Sequence, residues 1–248
     1  MTKMKVNVQS FLNFVKKSTV DFLIDAIGFT VTPENIKSGV KNDAGNLISV
    51  IDMENNFMDI KKGSCDFNFK EPRNLVTYLN LFDEKDISLV VDDVCISLTS
   101  GKQKSKIYFC HPDVVRTFNK TEPRSRLNVF QTMDLNSDFM DAYNKVKKVA
   151  AKFGKLYFGV IGNKFYIESA DKLNPYANSL KFEVDECDSK DLSLCFDYKN
   201  FTSVFNVLDE DYTQYNLSFS YLEEQEMGMV FIRKNDNSEK YFVFSKME

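Results

Sequence analysis

Residues 73–84 read RNLVTYLNLFDE, and residues 199–210 read KNFTSVFNVLDE. A shift of 126 residues lays the first stretch on the second. Asn74 then meets Asn200, Asn80 meets Asn206, and Asp83-Glu84 meets Asp209-Glu210. Leu75, Leu79 and Phe82 recur at the spacing of one helical face, so both stretches read as short amphipathic helices. Chance likeness between amphipathic helices accounts for matched apolar positions but not for the shared Asn and Asp-Glu positions. The surroundings repeat too: each half holds a strand, a helix, a run of strands, a second helix and three closing strands. An internal duplication follows. The fold class is α+β, with two similar domains that each pack two short helices on antiparallel sheet.

Working outward, Lys5 to Val8 alternates as a strand and Gln9 to Ser18 forms a helix that turns Phe11, Leu12 and Val15 inward. FLIDAIGFTV (22–31), NIKSGV (35–40) and NLISVIDM (46–53) read as strands, separated by Pro33-Glu34-Asn35 and Asn42-Asp43-Ala44-Gly45. Phe67 and Phe69 alternate with polar residues and lead into a helix from Glu71 to Phe82, with Pro72 in its first turn. ISLVV, VCISLTS and KIYFC close the first half. Val114 to Leu127, with Arg116, Lys120, Pro123, Arg124 and Arg126, has no period and reads as a linker. The expected boundaries are 1–115, a linker at 116–127, and 128–248. After the linker come the strand NVFQTMDL, a long helix, the hairpin KLYFGVIGNKFYIES, the strand KLNPYANSLKFEV and the helix Asp197 to Leu208. YNLSFSYL, MGMVFIRK and KYFVFSK are the last strands.

The long helix spans Asn136 to Lys155. Phe139, Tyr143, Val146, Ala150 and Phe153 share one face, and Lys145, Lys148 and Lys152 share another. Asn136 or Ser137 caps its start, Asp138 and Asp141 lie near the positive end of its dipole, and Gly154 stops it. Taken alone, such a lysine stripe is an ordinary solvated face. It stands out because the chain carries a net charge of −4, with acidic runs at Asp83-Glu84, Asp185-Glu186, Asp209-Glu210-Asp211 and Glu223-Glu224-Gln225-Glu226. That balance excludes a protein that coats nucleic acid by bulk charge but leaves room for a local basic patch.

At 248 residues and 43% apolar composition the chain has ample material for a core. Its 23 Phe and 11 Tyr with no Trp read as compositional bias. Cys65, Cys95, Cys110, Cys187 and Cys195 form no CxxC pair, so they suggest buried thiols of a reducing compartment rather than a disulfide or zinc framework. No apolar run approaches the ~18 residues of a membrane span, and the N-terminus lacks a signal-peptide pattern. The expectation is a soluble intracellular protein without membrane association.

Catalytic chemistry finds little footing. The single histidine, His111, precedes Pro112 at a strand end without triad or metal partners nearby. No GxxxxGK[ST] phosphate loop is present. Asp92-Asp93 and Asp209-Glu210-Asp211 carry magnesium-type ligands, yet their places at hairpin and helix ends favour solvated turns. No enzyme activity, metal or cofactor is expected.

Two similar domains, each with two helices over antiparallel sheet, resemble the DNA sliding clamps, the proliferating-cell-nuclear-antigen-like proteins and phage processivity factors. The local likenesses are Asp138-Phe139 opening the third helix, the Phe201–Leu208 helix, and the ending Lys240-Tyr241-Phe242-Val243-Phe244-Ser245-Lys246. This ending is similar to the clamp tail Tyr-Tyr-Leu-Ala-Pro-Lys, with Ser245 in place of Pro. The resemblance implies a homotrimeric ring whose helices surround double-stranded DNA, tethering a polymerase without reading sequence. Lys16, Lys17, Arg73, Lys145, Lys148, Lys152 and Lys199 would then face phosphate, giving salt-dependent, sequence-blind contacts. It implies a head-to-tail subunit interface between the strands Lys106–His111 and Asn178–Val184, with Ile107, Phe109, Leu180 and Phe182 as its apolar members. It further implies a pocket for short peptides of the DNA polymerase and clamp loader, drawn from Val40, Leu47, Leu127, Val129, Met229, Phe242 and Phe244. The compartment would be the host cytoplasm for a phage protein, or the nucleus for one from a eukaryotic host. Two other readings stay open: a monomeric, herpesvirus-like processivity factor, and a structural or interaction protein that binds no DNA.

Overall fold

The computed structural model describes residues 2–118, 127–172, 174, 176, 178–222 and 227–245. Lys120, Pro123, Arg124 and Arg126 of the expected linker, the acidic run 223–226, and Lys246 lie outside them. The chain divides into two compact units, Met1–Asn119 and Lys120–Glu248. The first runs β1 (Thr2–Asn7), α1 (Val8–Ser18), β2 (Ala26–Val31), β3 (Asn35–Lys41), β4 (Leu47–Glu54), β5 (Cys65–Lys70), α2 (Pro72–Leu79), β6 (Asp86–Val91), β7 (Cys95–Ser100) and β8 (Gln103–Tyr108). The second repeats that order. It runs β9 (Asn128–Asp134), α3 (Ser137–Phe153), β10 (Lys155–Ile161), β11 (Lys164–Ser169), β12 (Leu180–Glu186), β13 (Leu192–Asp197), α4 (Tyr198–Phe205), β14 (Tyr215–Leu222), β15 (Met227–Lys234) and β16 (Glu239–Phe244).

The strand permutation is duplicated as well. The first unit orders its strands β1-β6-β7-β8 and β5-β2-β3-β4; the second orders them β9-β14-β15-β16 and β13-β10-β11-β12. The bounds of α2 and α4 coincide at the 126-residue shift read from the sequence. The α+β class and the doubled domain are therefore both present.

Local chemistry explains the helix ends. Asn7 and Asn136 cap α1 and α3 by accepting from the amides of Ser10 at 3.0 Å and Phe139 at 2.9 Å. Asp197 caps α4 by accepting from Lys199 and Asn200. Gly154 ends α3 in the left-handed conformation at φ 70, which lacks a Cβ penalty only for glycine. The phenylalanines that composition left as bias build two aromatic cores. In the first unit Phe29 stacks on Phe67 at 4.7 Å and meets Phe14 edge-on at 5.1 Å. In the second, Phe158 lies 4.8 Å from Phe201 and Phe165 lies 4.8 Å from Phe219.

Four departures from the sequence reading have physical causes. The strand expected from Phe22 begins only at Ala26, because Val20, Asp21 and Phe22 adopt left-handed φ of 48, 54 and 64. The helix expected to reach Phe82 ends at Leu79, and its cap Asn80 bonds back to the Val76 carbonyl. β13 has no counterpart in the expected element order; LSLCFD is short, follows an acidic loop and runs directly into α4. Finally, residues 116–118 continue the first unit rather than leaving it: Lys41 donates to the Arg116 carbonyl at 3.0 Å and Phe118 donates to Gly39 at 2.7 Å. A side chain on Gly39 would reach within 2.1 Å of the Phe118 carbonyl, so this close approach requires glycine.

Candidate nucleic-acid interface

The buried residues Phe139, Ala142, Tyr143, Val146 and Ala150 hold one side of α3 against the second unit's core. Tyr143 adds a buried hydrogen bond, its hydroxyl donating to Thr202 on α4 at 3.1 Å. Burial drives the Tyr143 phenol well above its usual range, so it remains a neutral donor. Fixed on that side, α3 exposes Lys145, Lys148 and Lys152 on the other. Asp138 is exposed in the first turn and Lys152 in the last, which matches the helix dipole at both ends. The Lys145 ammonium lies 5.4 Å from the centre of the Phe182 ring on β12, tying the lysine face to that edge strand.

The remaining expected cations are distributed unevenly. Lys16 on α1 is half-buried and sits 4.0 Å from the Asp21 carboxylate. Lys17 is 5% exposed, which corrects its expected place on a DNA-facing surface. It flanks the arc of Phe11, Phe14, Val15 and Ser18 on α1, all of them buried, and is covered with them. Arg73 on α2 and Lys199 on α4 are both exposed and occupy the same second position of their helices. The helix dipole disfavours a cation there. At α4 the Asp197 carboxylate offsets it; at α2 the aromatic ring of Phe22 lies 5.2 Å from the Arg73 guanidinium.

The two strands expected at a subunit interface each end a sheet order: β8 follows β7, and β12 precedes β11. Ile107 is buried at 9% exposure, while Leu180 and Phe182 are half-buried. Phe109 lies beyond the end of β8 and packs into the first unit's aromatic core, 5.4 Å from Phe69. The edges differ in charge. β8 exposes Lys104 and Lys106, and β12 exposes Glu183, Asp185 and Glu186 beside Lys181.

Among the expected pocket residues, Val129, Met229 and Phe244 fall in one cross-strand row, through the pairs Ser220↔Val129, Ser220↔Met229 and Met229↔Phe244. Phe242 shares their face, and its ring lies 4.8 Å from Phe231, a neighbour the sequence reading omitted. Met229 and Phe242 are nevertheless core residues, at 1% and 2% exposure. Val40 and Leu47 are likewise core residues at 0%: Val40 lies on the covered face of β3, and Leu47 opens the fully buried first half of β4. Val129 at 57% is exposed, and Leu127 and Phe244 are half-buried.

The structure also contains a buried charge cluster that sequence spacing could not assemble. Glu239, 0% exposed, accepts from the hydroxyls of Tyr215 at 2.9 Å and Tyr241 at 3.1 Å. The Lys234 ammonium lies 3.6 Å from Glu239 and 2.6 Å from Asp209. Burial works against that ammonium, but its bonds to Asp209 and Glu239 outweigh burial and raise its pKa. Asp209, expected as a solvated turn residue, instead anchors the segment that follows α4 to β15. Among the described residues no group of three or more His, Cys, Asp or Glu is placed to hold a metal. His111 is exposed and accepts from the Asp113 amide, and among the described residues no two cysteines form a disulfide. No described helix is long and apolar enough to cross a membrane.

This duplicated arrangement is the fold of the DNA sliding clamps. The proliferating cell nuclear antigen of A. fulgidus, solved with the C-terminal region of FEN-1, is similar over 100% of this chain and 99% of its own, at TM-score 0.64 and 14% identity. The Thermococcus kodakaraensis antigen matches over 98% of this chain and 100% of its own, at TM-score 0.61 and 11% identity. The DNA polymerase III β subunit of Pseudomonas aeruginosa matches over all of this chain and 67% of its own, at TM-score 0.70 and 11% identity. At these identities the likeness is one of fold. No protein-family model and no curated protein sequence matches the chain.

Proposed function

We propose that this chain is a sliding clamp, a non-catalytic ring of three copies that encircles double-stranded DNA and holds a DNA polymerase on its template. The observation that carries this reading is the exposed row Lys145, Lys148 and Lys152 on a sliding-clamp fold. Lysine point charges suit the phosphate backbone and carry no base readout, so binding would be salt-dependent and sequence-blind. Lys16 and Arg73 in the first unit and Lys199 in the second would supply further phosphate contacts. In this reading, the expected linker 116–127 joins the two domains, with its residues 116–118 bonded to the first. Ring closure would pair β8 of one copy with β12 of the next, a heterologous contact that closes at the right rotation. The opposite charges of the two edges support that pairing, and an uncovered edge invites partners. Leu127, Val129 and Phe244, the accessible members of their group, would receive short peptides of the polymerase and clamp loader.

Lys104 and Lys106 on β8 also favour a second reading, a monomeric processivity factor, because edge lysines keep strands unpaired. Light scattering over a range of protein concentrations separates the two. A mass near three times 28.7 kDa is expected for the ring. A monomer at every concentration overturns it and leaves the monomeric reading.

A further inference from the structure

Among the described residues, the most strained backbone follows α1. Val20, Asp21 and Phe22 are three consecutive non-glycine residues in the left-handed region. Each such residue costs about 1–2 kcal/mol, and the β-branched Val20 is the least suited to it. Local hydrogen bonds over-determine the turn. Asp21 donates to the Lys16 carbonyl at 2.9 Å, Ile24 donates to Thr19 at 3.0 Å, and the Phe22 amide donates to the Thr19 hydroxyl at 3.3 Å. That hydroxyl in turn donates to the Val15 carbonyl at 2.8 Å. The side chain of Val20 is fully buried and pins the turn to the core.

The turn leaves Phe22 half-buried beside α2, with its ring under Arg73 at 5.2 Å. The dipole of its own helix disfavours Arg73. It sits in a first turn that holds no acidic residue, and the cap Glu71 makes no side-chain bond to the helix amides. Its side chain is exposed.

We propose that Phe22 is the positioning residue for Arg73: the left-handed turn presents the Phe22 ring so that the guanidinium is preset, as α2's one cation, to meet a DNA phosphate. This rests on the DNA-binding reading above. The planar guanidinium stacks on the ring through its face and leaves its N–H edge to form a forked contact with phosphate oxygens. Lysine in its place would keep the charge but lose the preset plane.

The test measures association of the full chain with a labelled duplex of about 30 base pairs across a salt series, with thermal unfolding as a control. Arg73→Gln should weaken binding and lower the salt slope by about one. Phe22→Leu keeps an apolar residue without the ring, and should cost about two- to fivefold in affinity at unchanged unfolding temperature. Phe22→Tyr keeps a ring and should bind as wild type does. Arg73→Lys should weaken binding in the otherwise wild-type chain and have no further effect when combined with Phe22→Leu. Wild-type affinity in Phe22→Leu, or losses that add in full when it is combined with Arg73→Gln, would overturn the proposal. Should Phe22→Leu fold poorly, Arg73→Lys alone still decides it, because an affinity equal to wild type would show that the guanidinium plane is not used. If the duplex ignores removal of Lys145, Lys148 and Lys152 as well, the DNA reading itself has failed; if only the Phe22 and Arg73 variants are silent, this inference alone falls.

Discussion

The two units spend the same length of chain in different ways. Eighteen residues separate the start of α1 at Val8 from the start of β2 at Ala26, and eighteen separate Ser137 from Lys155. In the second unit that stretch is a 17-residue helix closed by Gly154. In the first, an 11-residue helix gives way to the left-handed turn. Aligned on those starts, Lys16 matches Lys145, the buried Lys17 matches the buried Val146, and Thr19 and Leu23 stand where Lys148 and Lys152 are. The charged cluster differs likewise: β16 opens with the buried Glu239, whereas β8 opens with the exposed Gln103. Both units keep the strand permutation, which the cores require, and differ where side chains meet solvent or local charge.

The largest expected effect lies in the cluster that, among the described residues, only the second unit holds. Lys234→Met removes the ammonium facing buried Glu239 and should cost about 3–5 kcal/mol in urea unfolding, with hydrogen exchange accelerated along β14–β16. Gln103→Met in the first unit should change stability by less than about 0.5 kcal/mol. Equal losses would erase the contrast. The sign with pH follows from the raised Lys234 pKa. Its contribution is complete below the unfolded lysine value of about 10.4 and is lost as pH rises through the higher folded value. The gap between wild type and Lys234→Met should therefore narrow only in strong base.

A smaller effect concerns the two helix faces. Replacing Lys145, Lys148 and Lys152 together with Gln should reduce the salt slope of duplex binding by about three, and Lys16→Gln by about one. Equal reductions would mean that the short α1 grips DNA as well as the long α3. The smallest effect sharpens the alignment itself. Lys17→Met should leave duplex affinity and salt slope unchanged and shift stability by no more than about 1 kcal/mol. A loss of slope would return Lys17 to the DNA-facing set.

The repeat made the fold legible because two matched helices and a common element order constrain topology more than any single propensity does. The lysine face of α3 was legible for a similar reason: five apolar residues at helical spacing leave only one side for the cations. α1 is shorter, and Lys17 sits on the flank of its buried arc, where periodicity does not separate covered from exposed. The left-handed turn carried no Gly or Asn to announce it; Val20 and Phe22 are residues that usually mark strands. The Tyr215–Glu239–Lys234–Asp209 cluster draws on β14, β16, β15 and the segment after α4, so only the tertiary fold unites it. In the candidate peptide site, Met229 and Phe242 were placed by their position in the resemblance, which does not tell covered from exposed; both are core residues.

Equal contour between matched anchors makes the eighteen-residue stretch behave as a cassette. A chimera carrying residues 137–154 in place of 8–25 would join the flanking strands without insertion or deletion. Duplicated halves can in this way exchange or diverge in what they present while neither loop closure nor strand register is renegotiated. The two stretches are equal in length and differ in the charge they expose.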